Sequence, residues 1–191
     1  MAIYRDDVVR AVHRELSHAG GAVFSSNGNN SRALYAIAPD SDYFQVMGSM
    51  GASVLLAAGW SRRAAVPVAV LEGDGSLAMG AAGLPMVASS ARPPFMHVVL
   101  ENRVYESTGG QIVPVPDGWS DHLAHGAGYD LVFQVTSIAE LTSRLRDCVV
   151  GRHVGFIRVP VDPTIGDPHP RVPIHPTEIT RRFRERFGDR N

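Results

Sequence analysis

The sequence contains no lysine: its 18 basic side chains are all arginine, against 19 acidic ones, for a net charge of −1. A Schiff-base lysine and a P-loop lysine are thereby excluded. The near-neutral balance gives no electrostatic footing for nucleic acid or an anionic membrane surface. Cysteine occurs once, as Cys148, which excludes an intramolecular disulfide, an iron–sulfur cluster and a zinc cluster of Cys ligands. Cys148 falls in an apolar helical pattern and reads as core. No apolar run approaches the ~20 residues that span a bilayer. The opening residues, Met1-Ala2-Ile3-Tyr4-Arg5-Asp6-Asp7, carry no apolar signal-peptide region, so a cytoplasmic location is expected. There is no internal repeat and no low-complexity tract.

What is present is ordinary globular composition, 45% hydrophobic and 19% charged over 191 residues, enough for one domain with an appended tail. An apolar run from Val66 to Leu71 ends in Glu72-Gly73-Asp74-Gly75-Ser76, and a proline-free Gly/Ala/Met segment follows to Gly83. The pattern predicts strand, tight turn and helix. Such a turn offers close-approaching backbone N–H groups, a helix N-terminus and one hard oxygen ligand, Asp74, a combination suited to a diphosphate with its metal. A second apolar strand, Phe95 to Leu100, delivers Asn102, 28 positions after Asp74, to the same carboxyl edge of a parallel sheet.

This arrangement resembles the cofactor motif of thiamine diphosphate (ThDP)-dependent enzymes. The resemblance implies that Gly73, Asp74, Gly75 and Ser76 receive the diphosphate, and that Asp74, Asn102 and the backbone of Val104 hold Mg2+. It also covers Gly48-Ser49-Met50-Gly51. There the carbonyl of Gly48 is implied to accept from the cofactor's 4'-amino group, and Met50 to press the two rings into a bent conformation. A plain core role for Met50 is the other reading.

Taken in order, Val8, Val9, Val12 and Leu16 mark an amphipathic helix over residues 4–19, ended by Gly20-Gly21. A strand from Ala22 to Ser25 opens into Ser26-Asn27-Gly28-Asn29-Asn30-Ser31-Arg32, ahead of a helix at Ala33. Turn chemistry accounts for this loop, with Asn30 or Ser31 as N-cap. The alternative is a ligand loop: Ser31-Arg32-Ala33-Leu34 is similar to a motif of phosphonopyruvate decarboxylases, which places Asn29, Asn30 and Ser31 at the diphosphate. A strand from Tyr43 to Met47 and an Ala/Leu-rich helix ending near Trp60 come next.

Beyond Asn102, Tyr105-Glu106-Ser107-Thr108-Gly109-Gly110-Gln111 resembles the loop of decarboxylases acting on phosphonopyruvate and sulfopyruvate. Glu101 and Tyr105 depart from that pattern, where a second Asn or Asp and a His are usual. Glu106 is the candidate catalytic residue, to orient substrate or relay a proton, with a solvated loop acid as the other reading. Arg32 and Arg103 are candidates for an anionic substrate tail, or ordinary surface arginines. His122 and His125 share a helix face over Trp119 to Ala127 but lack a third metal ligand.

A strand from Leu131 to Val135, a helix from Ser137 to Val150 and a strand from His153 to Val159 complete an alternation that predicts parallel βαβ units. The expected fold is a three-layer α/β/α ThDP-binding domain over residues 1–160. Residues 161–191 form a proline-rich arm ending in an Arg-rich helix from Thr177 to Phe187, either laid along a neighbouring subunit or serving as a linker.

The resemblance covers residues 20–160 and only the diphosphate-binding half of such enzymes. It therefore implies a second chain with the pyrimidine-binding domain and the activating Glu, as in two-subunit sulfopyruvate decarboxylase, and a chain inactive alone. The reaction implied is decarboxylation of a three-carbon 2-oxo acid ending in phosphonate or sulfonate. A carboligase subunit of the acetolactate-synthase kind and a non-catalytic ThDP-like subunit are the alternatives.

Overall fold

The computed structural model describes residues 2–41, 43–46, 51–162 and 169–188. Its strands are β1 (Ala22–Ser26), β2 (Phe44–Val46), β3 (Val68–Gly73), β4 (Phe95–Glu101), β5 (Val104–Tyr105), β6 (Gln111–Ile112), β7 (Leu131–Gln134) and β8 (Val154–Pro160). Six of them pair in parallel in the order β2-β1-β3-β4-β8-β7. The remaining two, β5 and β6, make a small antiparallel pair, with Val104 opposite Ile112.

A parallel sheet needs a crossover between strands, and helices on both faces bury it twice, which is why β3 and β4 read as nearly continuous apolar runs. Side-chain alternation divides the core. Leu71, Met96, Val98 and Leu100 pack toward α1 (Arg5–His18), α2 (Asn29–Ile37) and α7 (Ile138–Gly151). Val70, Phe95, Val99 and Phe156 pack toward α3 (Ala52–Ser61), α4 (Asp74–Gly80), α5 (Leu84–Ser90), α6 (Trp119–Ala127) and α8 (Pro176–Phe187). The face predicted for α1, Val8, Val9, Val12 and Leu16, is fully buried. Ser137 caps α7 by accepting from the Glu140 backbone N–H at 3.1 Å.

Several boundaries differ from expectation for local reasons. The strand predicted from Val66 starts at Val68, because Pro67 has no N–H to give a ladder; its carbonyl instead accepts from the Ala22 N–H at 2.8 Å. The helix predicted from Ser76 to Gly83 starts at Asp74 and ends at Gly80, passing through a 3-10 turn, Ala81–Gly83, into α5, where no element is predicted. The helix predicted at Ala33 begins at Asn29, so neither Asn30 nor Ser31 is its N-cap. That position falls to Gly28, whose φ of 106° and ψ of −143° suit only glycine.

Helix α8 packs its own chain: the Phe183 ring lies 5.2 Å from those of Phe24 and Phe44 and 5.1 Å from that of Trp60. Its outer face carries Glu178 paired with Arg181 and Arg182.

Cys148 is fully buried, and burial pushes its thiol up to about 12, so it is inert packing. A Cβ added at Gly155 would stand 2.4 Å from Cys148 Sγ. Gly155→Ala is expected to destabilise the protein by about 1–3 kcal/mol. In urea denaturation, adding Cys148→Ala should recover most of that loss, because the clash is with the sulfur.

Candidate active site

The chain leaves β1 toward β2 on one side of the sheet, then returns to lay β3 on the other side of β1. Loops leaving adjacent strands in opposite directions open a crevice at their carboxyl ends, the usual ligand position in open α/β sheets. A cavity of about 250 Å3 lies there. Its walls come from the β1–α2 loop, the β3–α4 turn, the end of β4, the β5–β6 hairpin and the first turn of α1.

Asp74, at the first position of α4, is 3% exposed. Its Oδ1 accepts from the Gly75 N–H at 2.9 Å and its Oδ2 from the Arg103 N–H at 2.7 Å. Asn102 Oδ1 accepts from the Val104 N–H at 3.1 Å. Between them Arg103 takes φ of 64°, a left-handed conformation unusual for a side-chain-bearing residue, and this sharp turn brings Asn102 and Val104 to the same cavity wall. At Gly75 a Cβ would meet the Tyr105 ring at 2.5 Å, so a larger residue would displace that ring from the cavity wall. At Gly73, a Cβ would meet nothing within 4 Å and would project into space a ligand could use.

Burial pushes the Asp74 carboxyl up to about 6, against the pull of the Arg103 and Gly75 N–H groups, and nearby Glu101 pushes the same way. A carboxylate held out of water without a cation is suited to one. With the amide oxygen of Asn102 and the carbonyl of Val104, the donor set is all hard oxygen, which fits Mg2+. Among the described residues no three His, Cys, Asp or Glu side chains converge as an alternative metal centre. His122 and His125 are exposed on α6.

Two buried networks underlie the site. Ser76 Oγ donates to Glu72 Oε1 at 2.6 Å, Glu72 Oε2 lies 2.9 Å from His97 Nε2, and His97 Nδ1 lies 3.0 Å from Tyr129 Oη. Glu72 and His97 are both fully buried. Beside Asn102, Glu101 Oε2 accepts from Arg158 at 2.7 Å, and Arg158 also forks onto Asp121 and reaches Gln134 at 2.6 Å. Buried ionic groups require this degree of pairing. Glu101, the departure noted in the sequence, thus has a partner from β8.

Of the other predicted residues, Asn29, Asn30, Tyr105 and Glu106 line the cavity. Ser31 lies fully buried behind it and donates to the Gly28 carbonyl at 3.0 Å. Glu106 Oε2 accepts from Asn29 Nδ2 at 2.7 Å and pairs with Arg5. Arg32 and Arg103 do not line the cavity; the Arg103 guanidinium is engaged by Asp117 and by the Val115 carbonyl. Gly48 and Met50 lie outside the described residues.

Sequence reasoning missed Glu72, His97, Arg158 and Arg5. The first three had a signal, an ionisable residue interrupting an apolar strand. Arg5 had none, since a cation in a first helical turn looks like solvated surface.

Residues 26–159 match the model of the thiamine pyrophosphate enzyme C-terminal TPP binding domain. The chain belongs to that family. It is 32% identical over 179 residues to a phosphonopyruvate decarboxylase of Streptomyces hygroscopicus, covering 93% of this chain and 45% of the relative. It is 31% identical over 162 residues to sulfopyruvate decarboxylase subunit beta of Methanothermobacter thermautotrophicus, covering 84% of each. The chain therefore spans about half the length of the phosphonopyruvate decarboxylase and most of the sulfopyruvate decarboxylase subunit. Its fold matches a thiamine diphosphate-dependent 4-hydroxybenzoylformate decarboxylase of Rhodococcus jostii RHA1 with a TM-score of 0.66 at 19% identity, over 84% of this chain and 33% of that one. The three-layer ThDP-domain fold is thereby established. No helix among the described residues is long and apolar enough to cross a membrane.

Because the folded carboxyl of Asp74 holds its proton up to about 6, the metal-free protein should lose stability from this group as pH rises from about 4 through 6. Asp74→Asn gives up one of the two oxygens that accept from the Gly75 and Arg103 N–H groups, a cost independent of pH; relative to the parent, its stability should therefore rise by about 2–3 kcal/mol between pH 4 and 7.5. Urea denaturation between pH 4 and 7.5 measures the difference; a constant offset across pH would contradict it.

Proposed function

We propose that this chain is the cofactor-binding subunit of a two-subunit 2-oxo acid decarboxylase acting on phosphonopyruvate or sulfopyruvate, releasing CO2 and an aldehyde. The observation that carries the reading is the buried Asp74 carboxylate, lining one cavity with Asn102 at the carboxyl edge of a thiamine pyrophosphate enzyme domain. The names of the relatives supply the substrate class, and the one of similar length is a beta subunit. A second chain with the pyrimidine-binding domain and an activating Glu completes the active site between unlike subunits.

Asp74, Asn102 and the Val104 carbonyl hold Mg2+, while the backbone at Gly73, Gly75 and Ser76 and the side chains of Asn29 and Asn30 receive the diphosphate. Bound there, thiamine diphosphate supplies the electron sink for loss of CO2. Ser76, tied to Glu72, keeps the β3–α4 turn in one conformation. The buried position of Asp74 keeps its carboxylate out of water, which would strengthen its interaction with a bound cation. Glu106 faces the same cavity; with its Oε2 already accepting from Asn29 and Arg5, it orients those donors. Gly48 and Met50 keep their assignment to the cofactor's ring end on the sequence motif alone.

The test is CO2 release from phosphonopyruvate and sulfopyruvate by the assembled pair with ThDP and Mg2+. Activity should require both chains and disappear in Asp74→Ala, and the rate ratio names the substrate. An assembled pair that binds ThDP yet forms acetolactate from pyruvate, with no CO2 from either proposed acid, would replace this reading with a carboligase.

Protons and Mg2+ compete for Asp74, so the apparent Mg2+ affinity should fall about tenfold per pH unit below about pH 6. Titration calorimetry with Mg2+ and ThDP from pH 4.5 to 7.5 reads this directly.

A further inference from the structure

Among the described residues, the cavity is lined by two carboxylates, Asp74 and Glu106, and by one cation, Arg5. The ligands it is proposed to take are far more anionic than Mg2+ neutralises, and the chain has no lysine to help. Arg5 stands at the first position of α1, where a positive charge opposes the helix dipole, so helix stability does not account for it. Its side chain is 20% exposed; it pairs with Glu106, which Asn29 also holds, while its Nε is buried with no hydrogen-bond partner. Glu106 takes only the Nη2 end of the guanidinium, and Nε has no acceptor, so the group at this cavity wall carries donor capacity that the protein itself does not use.

Resting on the function proposed above, we propose that Arg5 is the oxyanion receptor of this cavity: its guanidinium binds a tetrahedral phosphate, phosphonate or sulfonate, and Glu106 and Asn29 position it. A guanidinium fork matches two oxygens of such a group and keeps its charge at any working pH. The same chemistry is offered by the terminal group of the substrate and by the cofactor's diphosphate. Arg5 takes the role for which the sequence offers Arg32 and Arg103, because it alone of the three lines the cavity.

The test titrates the assembled pair, this chain with its partner, calorimetrically with two probes, Mg2+-pyrophosphate and 3-phosphonopropionate, in the parent and in Arg5→Met, Arg5→Lys and Glu106→Gln. Arg5→Met should weaken at least one probe tenfold or more, with partial retention in Arg5→Lys. The affected probe tells diphosphate from substrate terminus. Glu106→Gln keeps an acceptor for Asn29 while removing the competing negative charge, and should tighten the same probe several-fold. If the pair merely ties α1 to the hairpin, Arg5→Met and Glu106→Gln will change binding in the same direction, and the inference falls. Equal binding by the parent and Arg5→Met also overturns it. A parent that binds neither probe overturns the cofactor reading as well. Circular dichroism of each variant confirms that the fold is retained in the comparison.

Discussion

The ligand edge of this protein depends on one carboxylate being kept out of water. Asp74 sits at the end of a strand buried on both faces, and two backbone N–H groups, from Gly75 and Arg103, satisfy it without neutralising it. That leaves a carboxylate that is charged above about pH 6 and held in place by its own backbone contacts. The left-handed turn at Arg103 serves the same constraint, since it aims an N–H at Asp74 while carrying Asn102 and Val104 to the cavity. Local strain of this kind persists only where surrounding structure over-determines it; here the strand of β4 before the turn and the Arg103 contacts to Asp117 and Val115 beyond it do so.

Beneath that edge, the sheet carries ionisable groups in places that ordinarily hold Val or Leu. Glu72, His97 and Tyr129 form one chain and Glu101, Arg158 and Asp121 another. Replacing such groups by hydrophobic residues often leaves stability unchanged or improved. Their value is therefore to be sought in shape: the first chain fixes the turn that bears Ser76, and the second fixes the strand end that bears Asn102. The segments that follow β3 and β4 thus rest on polar contacts that have one geometry, where apolar packing would permit several.

Asp74 and Asn102 are legible in the sequence because a parallel strand announces its carboxyl end: a short apolar run stops at a glycine turn or a polar residue, and adjacent strands bring such ends together. The βαβ alternation is legible for the same reason, and α1 and α7 show clear helical periodicity. Proximity across distant segments is not legible. Nothing local links Arg5 to Glu106 or Glu101 to Arg158, because those pairs exist only once strand order is known. Likewise, the early start of α2 follows from the backbone of Gly28, which the Asn and Ser candidates for N-cap obscure. Composition misleads at the C-terminal helix, where arginines dominate the count while Ile179 and Phe183 decide the packing.

Helix α8 has a further consequence. Strand β2 is three residues long and lies at the border of the sheet, next to β1, whose Phe24 together with Phe44 and Trp60 forms an aromatic surface under Phe183. Sheet borders and bare aromatic faces are where chains stick to one another. By laying rings inward and a row of arginine–glutamate pairs outward, α8 replaces this aromatic surface with a hydrated one. The last helix thus acts as a built-in solubilising cover, independent of anything that happens at the crevice.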